Sequence, residues 1–268
     1  MPKAAIDGGE ILYEVHGSGH PLLFITGLSG IARYWQAQIE AFAPRFRVVA
    51  YDQRGTGGSD RLQREFSIDQ MAREVIGLLD TLGIERTHIV GHSTGGAIAQ
   101  TLAAEYPQRV ARLVLSSTWT HCDPYFRRLF EARKAMLAKG GQELHVMFHP
   151  LWLYPPWWVS THDAEIGQEQ QRALAAPAPV EIARARMDAL LAFDRRASLA
   201  RIAAPTLVLG SENDAITPSY FSRALAQAIP DARLVLDRDA GHAASKTRPE
   251  EFNRLVLDFL TEAGTAPR

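Results

Sequence analysis

The chain has 268 residues, 46% of them hydrophobic, with 29 Lys and Arg against 30 Asp and Glu and a formal net charge of −1. That is ample apolar material for one large core, and single domains of this length are common among α/β folds. No basic stripe for nucleic acid and no acidic tail is present, the longest apolar runs are strand-sized rather than membrane-spanning, and the N-terminus lacks the long apolar stretch of a signal peptide.

Taken in chain order, residues 11–15, 22–26 and 47–51 read as strands, with a helix over 32–42 between the last two. A second helix is predicted over 68–82. Ser67 with Gln70 three residues on is a capping-box signature at its start, and Gly83 is its terminating glycine. Strands at 88–90 and 113–116 flank a helix over 96–106. This βαβ rhythm calls for a mostly parallel sheet with helices on both faces, whose active sites lie at the carboxyl ends of the strands.

Between 119 and 198 the rhythm stops and no strand is evident. Asp123-Pro124 reads as an N-cap and first-turn proline. Phe126, Leu129, Phe130 and Leu137 share one face of the helix that follows, and Gly140-Gly141 stops it. Pro179 opens another helix carrying Ile182, Met187, Leu190 and Leu191. The aromatic cluster Phe148, Trp152, Tyr154, Trp157 and Trp158 lies between them. Pro150, Pro155 and Pro156 make this stretch a turn-rich link, with its rings pointing inward over the site. The insertion is expected to be a helical lid over a largely apolar pocket, with Trp35, Phe130, Trp152, Trp157 and Trp158 as candidates for its wall.

Gly91-His92-Ser93-Thr94-Gly95 fits G-x-S-x-G, with a short buried strand before it and a helix after it. A serine on a strand-to-helix turn of this kind holds its hydroxyl up at the sheet edge. Such a hydroxyl needs a base to take its proton and a third group to orient that base. The strand at 207–210 runs into Asp214, and the strand at 234–236 into His242. Ser93, Asp214 and His242 thus fall after successive strand ends in the order this arrangement requires. His145 and His149 stand i, i+4 but lack the Glu of H-E-x-x-H, so no metal site is assigned. Asp52 and Arg54 are read as builders of their own loop. Arg33, Arg127 and Arg128 read as solvated arginines, and Cys122, the single cysteine, as a packing residue in a chain suited to the reducing cytoplasm.

These segments resemble the α/β-hydrolase fold superfamily over nearly the whole chain. The resemblance includes residues 22–28, Tyr51-Asp52-Gln53-Arg54-Gly55-Thr56-Gly57-Gly58-Ser59 and the three segments bearing Ser93, Asp214 and His242. The stretches 51–57, 91–96 and the lid sequence Leu153-Tyr154-Pro155-Pro156-Trp157-Trp158 are most similar to the branch of 3-oxoadipate enol-lactonases and aminoacrylate hydrolases. The resemblance implies an eight-stranded sheet, with a core of residues 1–118 and 199–268 and a lid of 119–198 inserted after the sixth strand. It implies a serine hydrolase of a small ester, lactone, enol-lactone or amide, with Ser93, His242 and Asp214 as triad and the backbone N–H groups of Leu28 and Thr94 as oxyanion hole. Many members carry His-Gly where this chain has Thr26-Gly27; the donor there is a backbone N–H, so the hole is expected to survive the change. No cofactor is expected; the expected partner is a small-molecule substrate, and the protein is expected to be a cytoplasmic monomer or homodimer. Carbon–carbon bond hydrolysis on the same triad is the nearest alternative. Lyase or cofactor-free oxygenase chemistry and a small-molecule receptor are the alternatives of another class.

Overall fold

Along each central strand the side chains alternate between two hydrophobic cores, which is the period-two geometry of a strand buried on both faces. In the computed structural model, which describes residues 1–61 and 66–262, Leu23, Ile25, Val49, Ile89, Leu113 and Leu115 enter one core. Leu22, Phe24, Val48, Ala50, Val90 and Val114 enter the other. The strands are β1 (Lys3–Ile6), β2 (Gly9–His16), β3 (His20–Ile25), β4 (Phe46–Tyr51), β5 (Thr87–His92), β6 (Val110–Ser116), β7 (Thr206–Ser211) and β8 (Ala232–Asp237). They form one sheet in the order β1-β2-β4-β3-β5-β6-β7-β8. Only β2 pairs antiparallel, with β1 on one side and β4 on the other; the remaining pairs are parallel. β1 has no counterpart in the sequence reading. Its signal is Asp7-Gly8, both at positive φ, the two-residue turn that suits a hairpin.

The helices are α1 (Gln36–Phe42), α2 (Ile68–Thr81), α3 (Thr94–Glu105), α4 (Pro124–Leu153), α5 (Pro156–Thr161), α6 (Asp163–Ala175), α7 (Val180–Ala192), α8 (Ser219–Ala228), α9 (Ala244–Thr247) and α10 (Pro249–Thr261). The predicted caps are present: Ser67 accepts from the Gln70 N–H and Asp123 from the Phe126 N–H. Residues of α2, α3, α7 and α8 enter the first core, those of α1 and α10 the second. The second core segment was expected to run to 268; residues 263–268 lie outside those described. Among the described residues no helix is long and apolar enough to cross a membrane.

Helices α4 to α7 occupy the interval between β6 and β7, and one expectation there is corrected. Gly140-Gly141 ends the first helix as expected: Gly141, at φ +69° and ψ −172°, is non-helical, and the span given as α4 is two helices that meet at this break, the second running on to Leu153. Residues 148–158 are not a turn-rich link. Pro150 sits within the last turn of α4, and the break is confined to Tyr154-Pro155 before α5 begins. A proline leaves the carbonyl four residues back without its partner. That carbonyl, Val146 O, accepts instead from Gln170 Nε2 of α6 at 3.2 Å.

Candidate active site

Ser93 stands between the end of β5 and the start of α3 at φ 54°, ψ −117°. This is a backbone region that costs a non-glycine residue on the order of 1–3 kcal/mol unless its surroundings hold it there. They do. The Ser93 N–H donates to Ser116 O at 2.9 Å, its carbonyl accepts from Thr118 Oγ1 at 2.8 Å, and Gly96 N–H donates to the same carbonyl at 2.9 Å. The two motif glycines make the turn possible. A Cβ at Gly91 would strike the Gly95 carbonyl, and one at Gly95 would strike the Ile25 carbonyl. Thr94 opens α3, so its N–H has no carbonyl within the helix to bond.

Asp214 lies beyond β7 and His242 beyond β8, both buried. His242 Nδ1 is 2.9 and 3.0 Å from the two Asp214 carboxylate oxygens. A carboxylate only accepts, so Nδ1 carries the proton and Nε2 is left to accept one. The carboxylate is further fixed by the N–H groups of Ile216 and Thr217 and by Thr217 Oγ1, at 2.8–2.9 Å. The His242 backbone N–H donates to Leu153 O at 2.8 Å, which ties this loop to the end of α4.

Ser93, His242 and Leu28 line one cavity of about 660 Å³, with Phe130, Arg133, His149 and Tyr154 from the inserted helices across from them. Of the five residues expected in the pocket wall, Phe130 lines this cavity and the four tryptophans do not. Trp35 is fully buried in the second core against Phe24, 4.7 Å between ring centroids. The Trp152 ring lies 4.9 Å from the Arg133 guanidinium, and Arg248 covers Trp157 at 4.9 Å. Trp158 is packed between Tyr154 and His162, 4.3 and 4.2 Å away. Leu28 lines the cavity, whereas Thr94 is wholly enclosed behind it.

Three further groups stand in this site: His92 and Arg133, which the sequence reading does not single out, and His149, which it weighs only as a metal ligand. His92 lies beside His242, 4.9 Å between ring centroids, with Tyr34 stacked on it at 5.1 Å. Burial, then the charge of a protonated His242, holds the His92 imidazole well below the ordinary histidine range. His149 is lowered in the same way, by burial and then by Arg133. Arg133 itself is 2% exposed, and among the described residues no carboxylate pairs with it. Its guanidinium lies 4.8 Å from the Phe130 ring, its Nε has no partner, and burial pushes its pKa down to about 10, so it stays cationic at neutral pH. Asp52 and Arg54 build their loop: Asp52 accepts from the N–H groups of Ala32 and Gly58, and Arg54 pairs with Glu74.

Residues 20–146 match the family model described as alpha/beta hydrolase fold, and residues 191–268 match one described as TAP-like protein. The "Putative carbamate hydrolase RutD" of Azorhizobium caulinodans is 40% identical over 98% of this chain and 99% of its own length. The protein of the same name in Variovorax paradoxus is 41% identical over 92% of this chain and 95% of its own. Among solved structures, the enol-lactonase from Burkholderia xenovorans LB400 superposes with a TM-score of 0.90 at 28% identity, covering 97% of this chain and 100% of that one. The chain belongs to the alpha/beta hydrolase fold family and is a hydrolase.

Proposed function

We propose that this hydrolase works through a Ser93–His242–Asp214 triad on a small carbonyl substrate that carries a carboxylate. The observation that carries the reading is the Asp214-bound His242 imidazole in the wall of a cavity that Ser93 also lines. His242 Nε2 takes the Ser93 proton as the oxygen attacks the carbonyl carbon; Asp214 keeps the required tautomer and steadies the imidazolium. The neutral His92 beside it adds no like charge when His242 becomes cationic. The developing oxyanion is received by the N–H groups of Leu28 and Thr94, the second at the positive end of α3. His242 then gives its proton to the leaving group, and water repeats the attack on the acyl-enzyme.

Arg133 supports the carboxylate. A buried cation without a protein counter-ion is costly, and a substrate anion removes that cost when it binds. Relatives named for carbamate and enol-lactone hydrolysis make those two classes the first to test. Residues 119–198 act in this reading as the lid that closes the cavity. The test is a panel of short nitrophenyl esters, lactones, enol-lactones and carbamates, each with and without a carboxylate, run against the parent and Ser93→Ala. Carboxylate-bearing members should lead and Ser93→Ala should be inert toward all; turnover surviving in Ser93→Ala would overturn the serine mechanism.

A further inference from the structure

Arg186 is a second buried arginine of the inserted helices, and it faces away from the substrate. It lies on α7, is 1% exposed, and among the described residues no carboxylate bonds it. Among the described residues its hydrogen-bond partners are all on two core loops. Nη1 donates to Arg54 O at 2.9 Å, and Nη2 donates to Gln53 Oε1 at 2.6 Å and to Leu28 O at 3.1 Å. Gly30, at φ +69°, leaves the space that Nη2 occupies, since a Cβ there would come within 3.0 Å of it.

These contacts fall around one peptide group. The Leu28 N–H belongs to the peptide plane whose carbonyl is Gly27 O, and a planar peptide points its N–H opposite to its C=O. Gly27 O is fixed by the Gly30 N–H at 3.0 Å. The plane before it is fixed at Thr26 O by Gln53 Nε2 at 2.6 Å. The plane after it is fixed at Leu28 O by Arg186. Gln53 and Arg186 are themselves joined, so three consecutive peptide planes are set by one network. Two of its members come from the core, and the third is carried by the inserted helices. Burying a guanidinium with an unpartnered Nε is unfavourable compared with an apolar side chain of similar size. Loop geometry is what the arginine supplies in return.

We infer that Arg186 is a positioning residue: it aims the Leu28 N–H at the developing oxyanion and thereby makes a competent oxyanion hole conditional on docking of the lid. This rests on the serine-hydrolase reading above, in which Leu28 is an oxyanion donor. Substrate contacts are untouched by Arg186, so its loss should spare ground-state binding and weaken only what forms in the transition state.

The test compares the parent, Arg186→Met, Arg186→Lys and Ser93→Ala with 4-nitrophenyl acetate, counting competent sites by fluorophosphonate titration. A trifluoromethyl ketone, which forms an oxyanion on the serine, is the second probe. For Arg186→Met we expect kcat per titrated site to fall about a hundredfold with KM within about threefold, since a misplaced group costs about that much. The ketone Ki should weaken in step with kcat/KM, and Arg186→Lys should regain about tenfold by keeping one of the contacts. A merely structural role would lower the number of titratable sites and leave turnover per site alone. Parental kcat per site in Arg186→Met, with Ser93→Ala inert, would overturn this inference and leave the hydrolase reading standing. If Arg186→Met does not fold, Arg186→Lys decides, and parental kcat and Ki in it would overturn the inference equally. Activity in Ser93→Ala would overturn both.

Discussion

Replacing Arg133 with methionine should uncouple substrate preference from stability, and the two should move in opposite directions. The guanidinium lines the cavity that Ser93 and His242 share, with Phe130 and Trp152 rings at 4.8 and 4.9 Å. A substrate carboxylate ~4 Å from it gains about 4 kcal/mol at an effective dielectric of ~20. Charge-assisted hydrogen bonds of about 1.5–3 kcal/mol each are part of the same attraction. Desolvation of the carboxylate offsets a share, leaving about 2–4 kcal/mol, or roughly thirty- to a thousandfold in kcat/KM. Neutral esters lose nothing of this. The folded protein loses two cation–π contacts but also sheds an unpaired buried charge, and methionine can refill the space against both rings. Stability should therefore hold or rise by about 1 kcal/mol, which is roughly 2–4 °C in Tm for a chain of this size. The assay is kcat/KM for a carboxylate-bearing ester and its neutral counterpart, with melting curves on the same preparations. Parallel loss on both esters, or an undiminished preference for the carboxylate, would refute the reasoning.

Ser93→Ala and His242→Ala should each remove nearly all turnover, and the double variant should lose little more, because the two act as a unit; multiplicative losses in steady-state kinetics would contradict this. Asp214→Asn should cost about ten-thousandfold in kcat by favouring the wrong tautomer, checked on the same ester. Burial, then the charges of His20, Arg112 and Arg86, holds His88 down at about 3. Its folded pKa is below the unfolded value of ~6.5, so the unfolded chain binds the extra proton and stability is lost as pH falls from ~6.5 towards 3, with a slope of up to about 1.4 kcal/mol per pH unit. Urea titrations at pH 6 and 4.5 should show that slope flattened in His88→Leu, and an unchanged slope would exclude His88 as its source. Trp158→Ala should lower stability by about 3–5 kcal/mol, roughly 6–20 °C in Tm, while leaving the acyl chain-length profile as it was, because the ring packs on Tyr154 and His162 outside the cavity lining.

Local chemistry makes much of this protein readable from its sequence. The strand–turn–helix around Ser93 depends on Gly91 and Gly95, and the caps at Ser67 and Asp123 on oxygens three residues from the N–H groups they serve. Such features are complete within a dozen residues, and the chain order of Ser93, Asp214 and His242, after the ends of β5, β7 and β8, is read directly along the sequence. Large aromatics near a candidate active site suggest a pocket wall, which is why the sequence points to the tryptophans. Which way a ring faces depends on partners far away in sequence, such as Arg248 for Trp157 and Arg133 for Trp152. Arg133 and Arg186 leave a trace in the sequence: each stands on an otherwise apolar helical stripe, with Phe126, Phe130 and Leu137 in α4, and with Ile182, Ala189 and Leu190 in α7. A charge at such a position must be buried, but periodicity does not say what it meets. For Arg186 the partners lie 132 to 158 residues away, and for Arg133 the protein supplies no counter-charge at all among the described residues. The sequence by itself determined the scaffold and the candidate reactive residues, because those follow from short-range sterics and hydrogen bonding. The shape and charge of the cavity were decided only when the inserted helices closed over the sheet, because burial and pairing of a charge are properties of the packed chain.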